Sequence, residues 1–561
     1  MVPTHLRFWP PTQSHSLTVP QTSLPHNLEV AAARYPDKTF LIFYDTHISY
    51  RRFAHEVELL AGFLSEHCGV RKGERVLLYL QNSPQFVLAY YAILRLGAVV
   101  VPINPMNLTE ELRHYVSDTA ASVAFVPQDL LVQMQPLLAE GLQHLIVAAY
   151  ADYLEVPSDL TIPDFVRAAR LPLAGPGITL WSAALAAHLQ AAPVSVGPDD
   201  LCVMPYTSGT TGQPKGCMHT HASVMYNVVA SMQWFGAQQD SVALAALPFF
   251  HVTGMQGSMN GPLYIGATLV LLARWDRDTA AECIRRYRVT AVQLISTMVV
   301  DLLASPRVDD YDLSSLRRVS GGGAAMPQAI AQKFQDLLAL PYVEGYGMSE
   351  TIAPTHINPP QRTKQQCLGI PIYDVDARLL DPDTLQPALP GAVGEIIVHG
   401  PQVMRGYWNN SAATAAAFIE LDGKRFLRTG DLARIDEDGY FFMVDRLKRM
   451  INAAGFKVWP AEVEALMYRH PAIREVCVVA RSDARRGETV AAVVVLHTAM
   501  RGLLSEQDLI DWAHQNMAAY KSPRSIIFRE ALPKSGSGKL EWRRLQSEIS
   551  AALSTTDCQA T

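Results

Sequence analysis

LCVMPYTSGTTGQPKG (201–216) joins a short apolar run to a loop built almost wholly from Gly, Ser and Thr. The run is too short for a helix and reads as a buried strand. Three glycines and several small hydroxyl residues then let backbone N–H groups approach a bound phosphate chain without interference from Cβ atoms, with Lys215 as a cation beside them. An ordinary polar surface loop fits the same composition. A Walker A loop does not, because it needs GxxxxGK[ST] and Lys215 here precedes Gly216.

Outward from this segment, short apolar runs alternate with helical patterns. VLLYL (76–80) and AVVVPI (98–103) precede it, and VALAAL (242–247), ATLVLL (267–272), TAVQLI (290–295) and RRVSG (317–321) follow. Such alternation implies βαβ units and parallel sheet. The stretch 127–200, rich in Pro and Ala, fits neither period and reads as irregular surface structure. GGGAAM (321–326) lacks the third glycine of GxGxxG, so hydride chemistry on a dinucleotide has no support. The longest apolar stretch, 88–103, is broken by Arg95 and Gly97 and reads as helix, turn and strand rather than a membrane span.

Near residue 425 the pattern changes. LARIDEDGYFFMVDR (432–446) sets Asp438-Gly439 between apolar runs, a hairpin signal because that dipeptide tolerates positive φ. A compact α+β set follows: PAEVEALMYRH as helix, EVCVVA and VAAVVVL as strands, LSEQDLIDWAHQNM as a second helix. The expected division is therefore 1–446 and 447–561. The fold class is α/β, a large N-terminal domain of mostly parallel sheets layered with helices, plus a small mobile α+β C-terminal domain.

The chain has 561 residues, more than one ordinary domain holds, and 49% of them are hydrophobic. Its 47 basic and 53 acidic side chains give a formal charge of −6 with no long basic run, which argues against nucleic acid as a partner. The seven cysteines are scattered, never spaced CxxC, and fit a reducing cytoplasm rather than a disulfide framework or a zinc site. The Pro-rich N-terminus has no stretch of signal-peptide type.

YTSGTTGQPKG resembles the phosphate-loop signature of the adenylate-forming superfamily: acyl- and aryl-CoA synthetases, peptide-synthetase adenylation domains and luciferases. EGYGMSET (344–351), GEIIVHGPQVMRGYW (394–408), RTGDLARIDEDGYFFMVDRLKRMINAAGFKVWPAEVE (428–464) and PKSGSGKLEWRRL (533–545) resemble further family segments in the family's order. The resemblance implies two half-reactions. ATP and a carboxylic acid give an acyl-adenylate and diphosphate, and coenzyme A then takes the acyl group.

The site residues carry over from those motifs. The loop residues Thr207, Ser208, Gly209, Thr210, Thr211, Gly212 and Lys215 hold the phosphates, with Lys215, Glu350 and Lys539 as catalytic residues. Gly345, Tyr346 and Gly347 meet the adenine, Thr351 offers a hydroxyl to the α-phosphate, and Thr207 and Glu350 bind Mg2+. Asp431 accepts from both ribose hydroxyls, a bidentate use of a carboxylate, and Arg446 closes that region, with an inter-strand ion pair as the alternative for Arg446. Lys448 matches the hinge. Gly455 and Lys457 border the pantetheine path, and Arg449 is a candidate CoA contact on charge alone.

The segments ASMQWFG (230–236) and HVTGMQGSM (251–259) supply an apolar, Met-rich acyl pocket. Its expected lining is Trp234, His251, Val252, Met255, Gly321, Gly322 and Ala325, which suits an aliphatic chain. PFFHVTG (248–254) carries no acid to pair with a substrate amine, no carrier domain follows residue 545, and the chain ends DCQAT rather than SKL. The expected enzyme is thus a cytoplasmic fatty-acid–CoA ligase using ATP, Mg2+ and coenzyme A. The alternatives are an aryl-acid ligase, another acyl acceptor, or a nucleotide- or acyl-binding sensor without turnover. Peripheral membrane contact and a homodimer remain open.

Overall fold

Runs of branched apolar residues buried at every position, such as Val99–Pro102 and Val123–Pro127, can only be strands covered on both faces. The structure is a computed structural model and describes all residues except 1–3, 12, 208–212, 324–325, 454–455, 484–486, 535–539 and 558–561. These runs form a seven-stranded sheet in the order His219–Thr220, Leu201–Val203, Val99–Pro102, Arg75–Leu78, Val123–Pro127, His144–Ala148 and Ile178–Leu180. Every pairing is parallel except that of His219–Thr220 with Leu201–Val203.

The expectation of irregular structure over 127–200 fails at two places, His144–Ala148 and Ile178–Leu180, which extend this sheet by parallel pairing. HLIVA is a buried run too short to show a period, and its signal is lost among the Pro and Ala residues around it. By contrast 88–103 is helix, turn and strand as read. Helix Pro84–Arg95 is capped by the Ser83 hydroxyl, which accepts from Phe86 N–H, and Gly97 at φ +65° turns the chain into Val99–Pro102.

A nine-stranded sheet runs Ile370–Pro371, Ala353–Ile357, Tyr342–Met348, Arg318–Gly322, Ala291–Gln293, Val242–Ala245, Thr268–Leu271, Thr39–Phe43 and Thr46–Ser49. Its inner pairings are parallel and the edges antiparallel. The motif strand Tyr342–Met348 thus lies beside the glycine-rich Arg318–Gly322.

Packing divides the chain into two units, Met1–Asp376 with Val398–Leu427, and Ala377–Ile397 with Arg428–Thr561. The small unit therefore takes in 377–397 and 428–446 as well as the segment that composition marks as C-terminal. Strand Lys424–Ile435 pairs antiparallel with Phe441–Arg446 around Gly439, at φ +85°. Strands Ile473–Asp483 and Gly487–Leu496 form a second hairpin, with Ser525–Phe528 parallel to the latter. The period of two sorts their side chains. Val476, Val478, Ala492 and Val494 pack on one face with Val463, Met467, Leu509 and Ala513, and Cys477, Val479, Ala491 and Val493 pack on the other with Leu545 and Ile549. The six described cysteines are all buried and none of them is in a disulfide. No helix among the described residues is long and apolar enough to cross a membrane.

Candidate active site

The phosphate-loop segment is a β-hairpin. Tyr206–Thr207 pairs antiparallel with Lys215–Gly216, and Ser208, Gly209, Thr210, Thr211 and Gly212 at the tip lie outside the described residues. The stem is fixed on helix Thr109–Thr119: the Tyr206 hydroxyl donates to Asp118 at 2.5 Å, His114 Nε2 meets the Pro214 carbonyl at 2.8 Å, and Tyr115 packs on the Tyr206 ring. Gly216 is required by close approach, since a Cβ there would sit 2.9 Å from the Met204 sulfur.

The outgoing strand of the hairpin meets the segment 404–408. Trp408 N–H donates to Gly216 O, Met218 N–H to Gly406 O, and Met404 N–H to Glu350 O. One tyrosine then joins the two charged candidates. Lys215 Nζ stands 5.2 Å from the Tyr407 ring centroid, and the Tyr407 hydroxyl donates to Glu350 Oε1 at 2.9 Å. Burial, and then the Glu350 carboxylate, push the Tyr407 phenol well above its usual range, so it remains a donor. Lys215 makes no ion pair among the described residues.

The turn carrying Glu350 is held from several sides. His219 Nε2 lies 2.7 Å from Ser349 O, and burial lowers the His219 pKa to about 4, keeping the ring neutral. Asn227 donates to the carbonyls of both Thr351 and Ile352 at 2.9 Å. Ile352, β-branched, sits at φ +46°, a strained conformation that these bonds sustain. Tyr407, His219 and Asn227 escaped sequence reasoning. Tyr407 lay inside a quoted motif, but its bond to Glu350 joins residues 57 apart in the chain and leaves no signal in the sequence.

Thr351 closes the short 3-10 turn that carries Glu350. Its hydroxyl is fully buried and committed within its own turn, donating to Ala353 O at 2.9 Å and accepting from Met348 N–H at 3.0 Å. Ser349, on the other side of Glu350, is half-buried. Tyr346 is buried edge-on to His356, with ring centroids 5.7 Å apart. The flanking glycines answer to sheet packing, for a Cβ on Gly347 would fall 2.2 Å from Ala353 O.

Within the second unit, Asp431 is buried opposite Arg446, whose Nε lies 3.0 Å from Asp431 Oδ1. The inter-strand ion pair is therefore present. Arg449 is paired with Glu464 and Asp445. Lys539 and Gly455 lie outside the described residues, and of Lys448 and Lys457 only the main chain is described, in Leu447–Arg449 and Phe456–Val458.

The acyl-pocket expectations divide. Trp234 is a core residue packed edge-on against Trp9 and Tyr373, its Nε1 donating to Asn358 O. Val252 and Met255 are likewise buried in the main core. His251 is partly exposed and caps the short helix Val252–Gly254. Gly321 and Gly322 end strand Arg318–Gly322, and a Cβ on either would strike neighbouring atoms, at 2.0 Å from Leu294 O and 2.3 Å from Gly345 O respectively. Ala325 lies outside the described residues.

Residues 28–408 match the family model of the AMP-binding enzymes, and 462–539 match the model of the AMP-binding enzyme C-terminal domain. The chain belongs to the AMP-binding enzyme family. Among similar AMP-binding enzymes, a long-chain-fatty-acid–CoA ligase of Bacillus subtilis is 35% identical, with 95% of this chain and 96% of that protein covered. A feruloyl-CoA synthase of Amycolatopsis is 34% identical over 88% of this chain and 92% of its own length. The ATP-bound MatB structure from Rhodopseudomonas palustris superposes with a TM-score of 0.83 at 25% identity, covering 94% of this chain and 99% of that one.

Proposed function

We propose that the chain is an AMP-forming fatty-acid–CoA ligase. The observation that carries the reading is a cation and a carboxylate gathered on one tyrosine without an ion pair between them: Lys215 lies over the Tyr407 ring, and the Tyr407 hydroxyl donates to Glu350. A carboxylic acid is already ionised at neutral pH, with a pKa near ~4, so attack on ATP needs no general base. It needs relief of repulsion between two anions. Lys215 and the hairpin N–H groups would supply positive charge, and Glu350 would hold the Mg2+ that accompanies ATP as substrate. Among the described residues no group of three or more His, Cys, Asp or Glu could hold a metal. One carboxylate with nucleotide oxygens completing the sphere is the ordinary arrangement for Mg2+.

Asp431 is assigned to the ribose hydroxyls, Lys539 to the acyl carboxylate and Lys448 to the hinge, on the family motifs they occupy. The B. subtilis relative supports a fatty acid as substrate, and the Amycolatopsis relative supports an aryl acid as the second reading. A cytoplasmic setting fits six buried cysteines outside any disulfide. The test is product analysis with MgATP, CoA and a panel of fatty and aryl acids. AMP, diphosphate and thioester are expected. Glu350→Gln should lower the rate at least about tenfold, as loss of a charged contact implies, while the melting curve stays cooperative. Formation of ADP, or full activity in the variant, would refute the reading.

A further inference from the structure

The nine-stranded sheet carries a polar patch that the ligase reading leaves unused. Val292 and Leu294 line an apolar cavity with Ile284, Leu302 and Phe334, so they face the helices Arg277–Tyr287, Ser296–Leu303 and Gln328–Leu338. Side chains alternate along a strand, which turns Gln293 to the opposite face. There Ser258, from the π-helix Met255–Asn260, donates to Gln293 Oε1 at 3.2 Å. Gly257 is bare beneath it, since a Cβ would fall 2.3 Å from that oxygen. With Oε1 occupied, the Gln293 Nε2 donors make no hydrogen bond among the described residues.

Ser320 is the parallel-register partner of Gln293 and so shares its face. It is 4% exposed, and its Oγ has no partner among the described residues. Native cores rarely leave such groups unpaired. Gln293 ends its strand and Ser320 stands two residues before the end of its own, below the edge where ligands of parallel α/β sheets bind. Two residues further on, Gly322 is level with Gly345, next to Tyr346. At about 3.3 Å per residue, Ser320 lies about 7 Å deeper than that level.

We infer that Gln293 and Ser320 read a hydrogen-bonding oxygen on the tail of the acid, so the preferred substrate is an oxygen-bearing acid rather than a plain alkyl chain. The inference rests on the ligase reading and refines its substrate. A hydroxyl, oxo or ether oxygen accepts from Gln293 Nε2 and exchanges a bond with Ser320 Oγ. An oxygenated aliphatic chain and a hydroxylated arene share this chemistry.

The test measures diphosphate release by the full-length enzyme with matched pairs, dodecanoate against its mid-chain hydroxy and oxo derivatives, and cinnamate against ferulate. At least one oxygen-bearing acid should exceed its plain partner about tenfold or more in kcat/KM, since a site with buried polar groups discriminates against substrates that leave them unpaired. The pair that responds identifies the source. Gln293→Met and Ser320→Ala, which keep volume, should bring that ratio towards one without loss on the plain acid. Ratios near one in the wild type, or ratios that neither variant changes, would overturn the inference. If a variant fails to fold, the wild-type ratios still decide. Release of no diphosphate with any acid would instead refute the ligase reading.

Discussion

Gly322→Ala tests whether Gly322 is dictated by the close approach of the adjacent strand. A Cβ at this position would lie 2.3 Å from Gly345 O, a main-chain atom of the adjacent parallel strand. Ordinary van der Waals contact begins at about 3.4 Å, so the strands must separate by about 1 Å. Overpacking of that kind costs about 1–3 kcal/mol. The displaced strand carries Tyr346 and leads into the Glu350 turn, so nucleotide binding should suffer with acid binding. The assays are ATP–diphosphate exchange with KM measured for both ATP and acid, beside thermal unfolding. The expected result is a higher KM for ATP and a Tm lower by a few degrees. If Gly322→Ala left both the KM for ATP and the Tm unchanged, the packing argument would be wrong.

Two further perturbations follow. Burial raises the Glu344 pKa from its ordinary 4.5 to about 7, against the pull of bonds from Met326 N–H and Cys367 N–H. A carboxyl raised on folding favours the folded state while protonated, so its contribution is full below about 4.5 and lost as pH rises through about 7. Glu344→Gln should flatten that part of the stability–pH curve, read from thermal melts across the range; an unchanged curve would show that Glu344 does not titrate there. Lys539→Ala should abolish acyl-adenylate synthesis yet turn over supplied acyl-adenylate with CoA at near-normal rate, and Gly455→Leu should do the reverse because a side chain there obstructs the pantetheine. Equal loss of both half-reactions in each variant would remove the separation of roles.

The sheets were legible wherever a strand was long or stood next to a clear helix: 76–80, 98–103 and the runs from 242 to 321 all lie in or overlap parallel strands. His144–Ala148 was not, because a five-residue buried run has no period to show and only its place beside Val123–Pro127 makes it a strand. The site shows the same limit. The motifs pointed to Lys215 and Glu350, for a lone carboxylate in a turn is by itself most often a solvated charge. They could not point to Tyr407, which touches both groups, a relation that exists only once 404–408 lies along 216–218.

The acyl residues mark the limit most clearly. Met-rich helical segments and glycines at a strand end suggest an apolar pocket from composition, yet composition cannot tell a side chain facing a ligand from one facing a neighbouring helix. Trp234 went to a packed aromatic cluster with Trp9, a partner more than two hundred residues away in the chain. Gly321 and Gly322 are glycines because adjacent strands leave no space for Cβ, which requires no substrate at all. What composition overlooks is a mismatch between chemistry and surroundings, and Ser320 is such a case: a hydroxyl between Val319 and a glycine, buried with no partner among the described residues. A hydrophobic side chain at that position would pack with less cost, so the hydroxyl is the residue there whose presence folding alone does not explain.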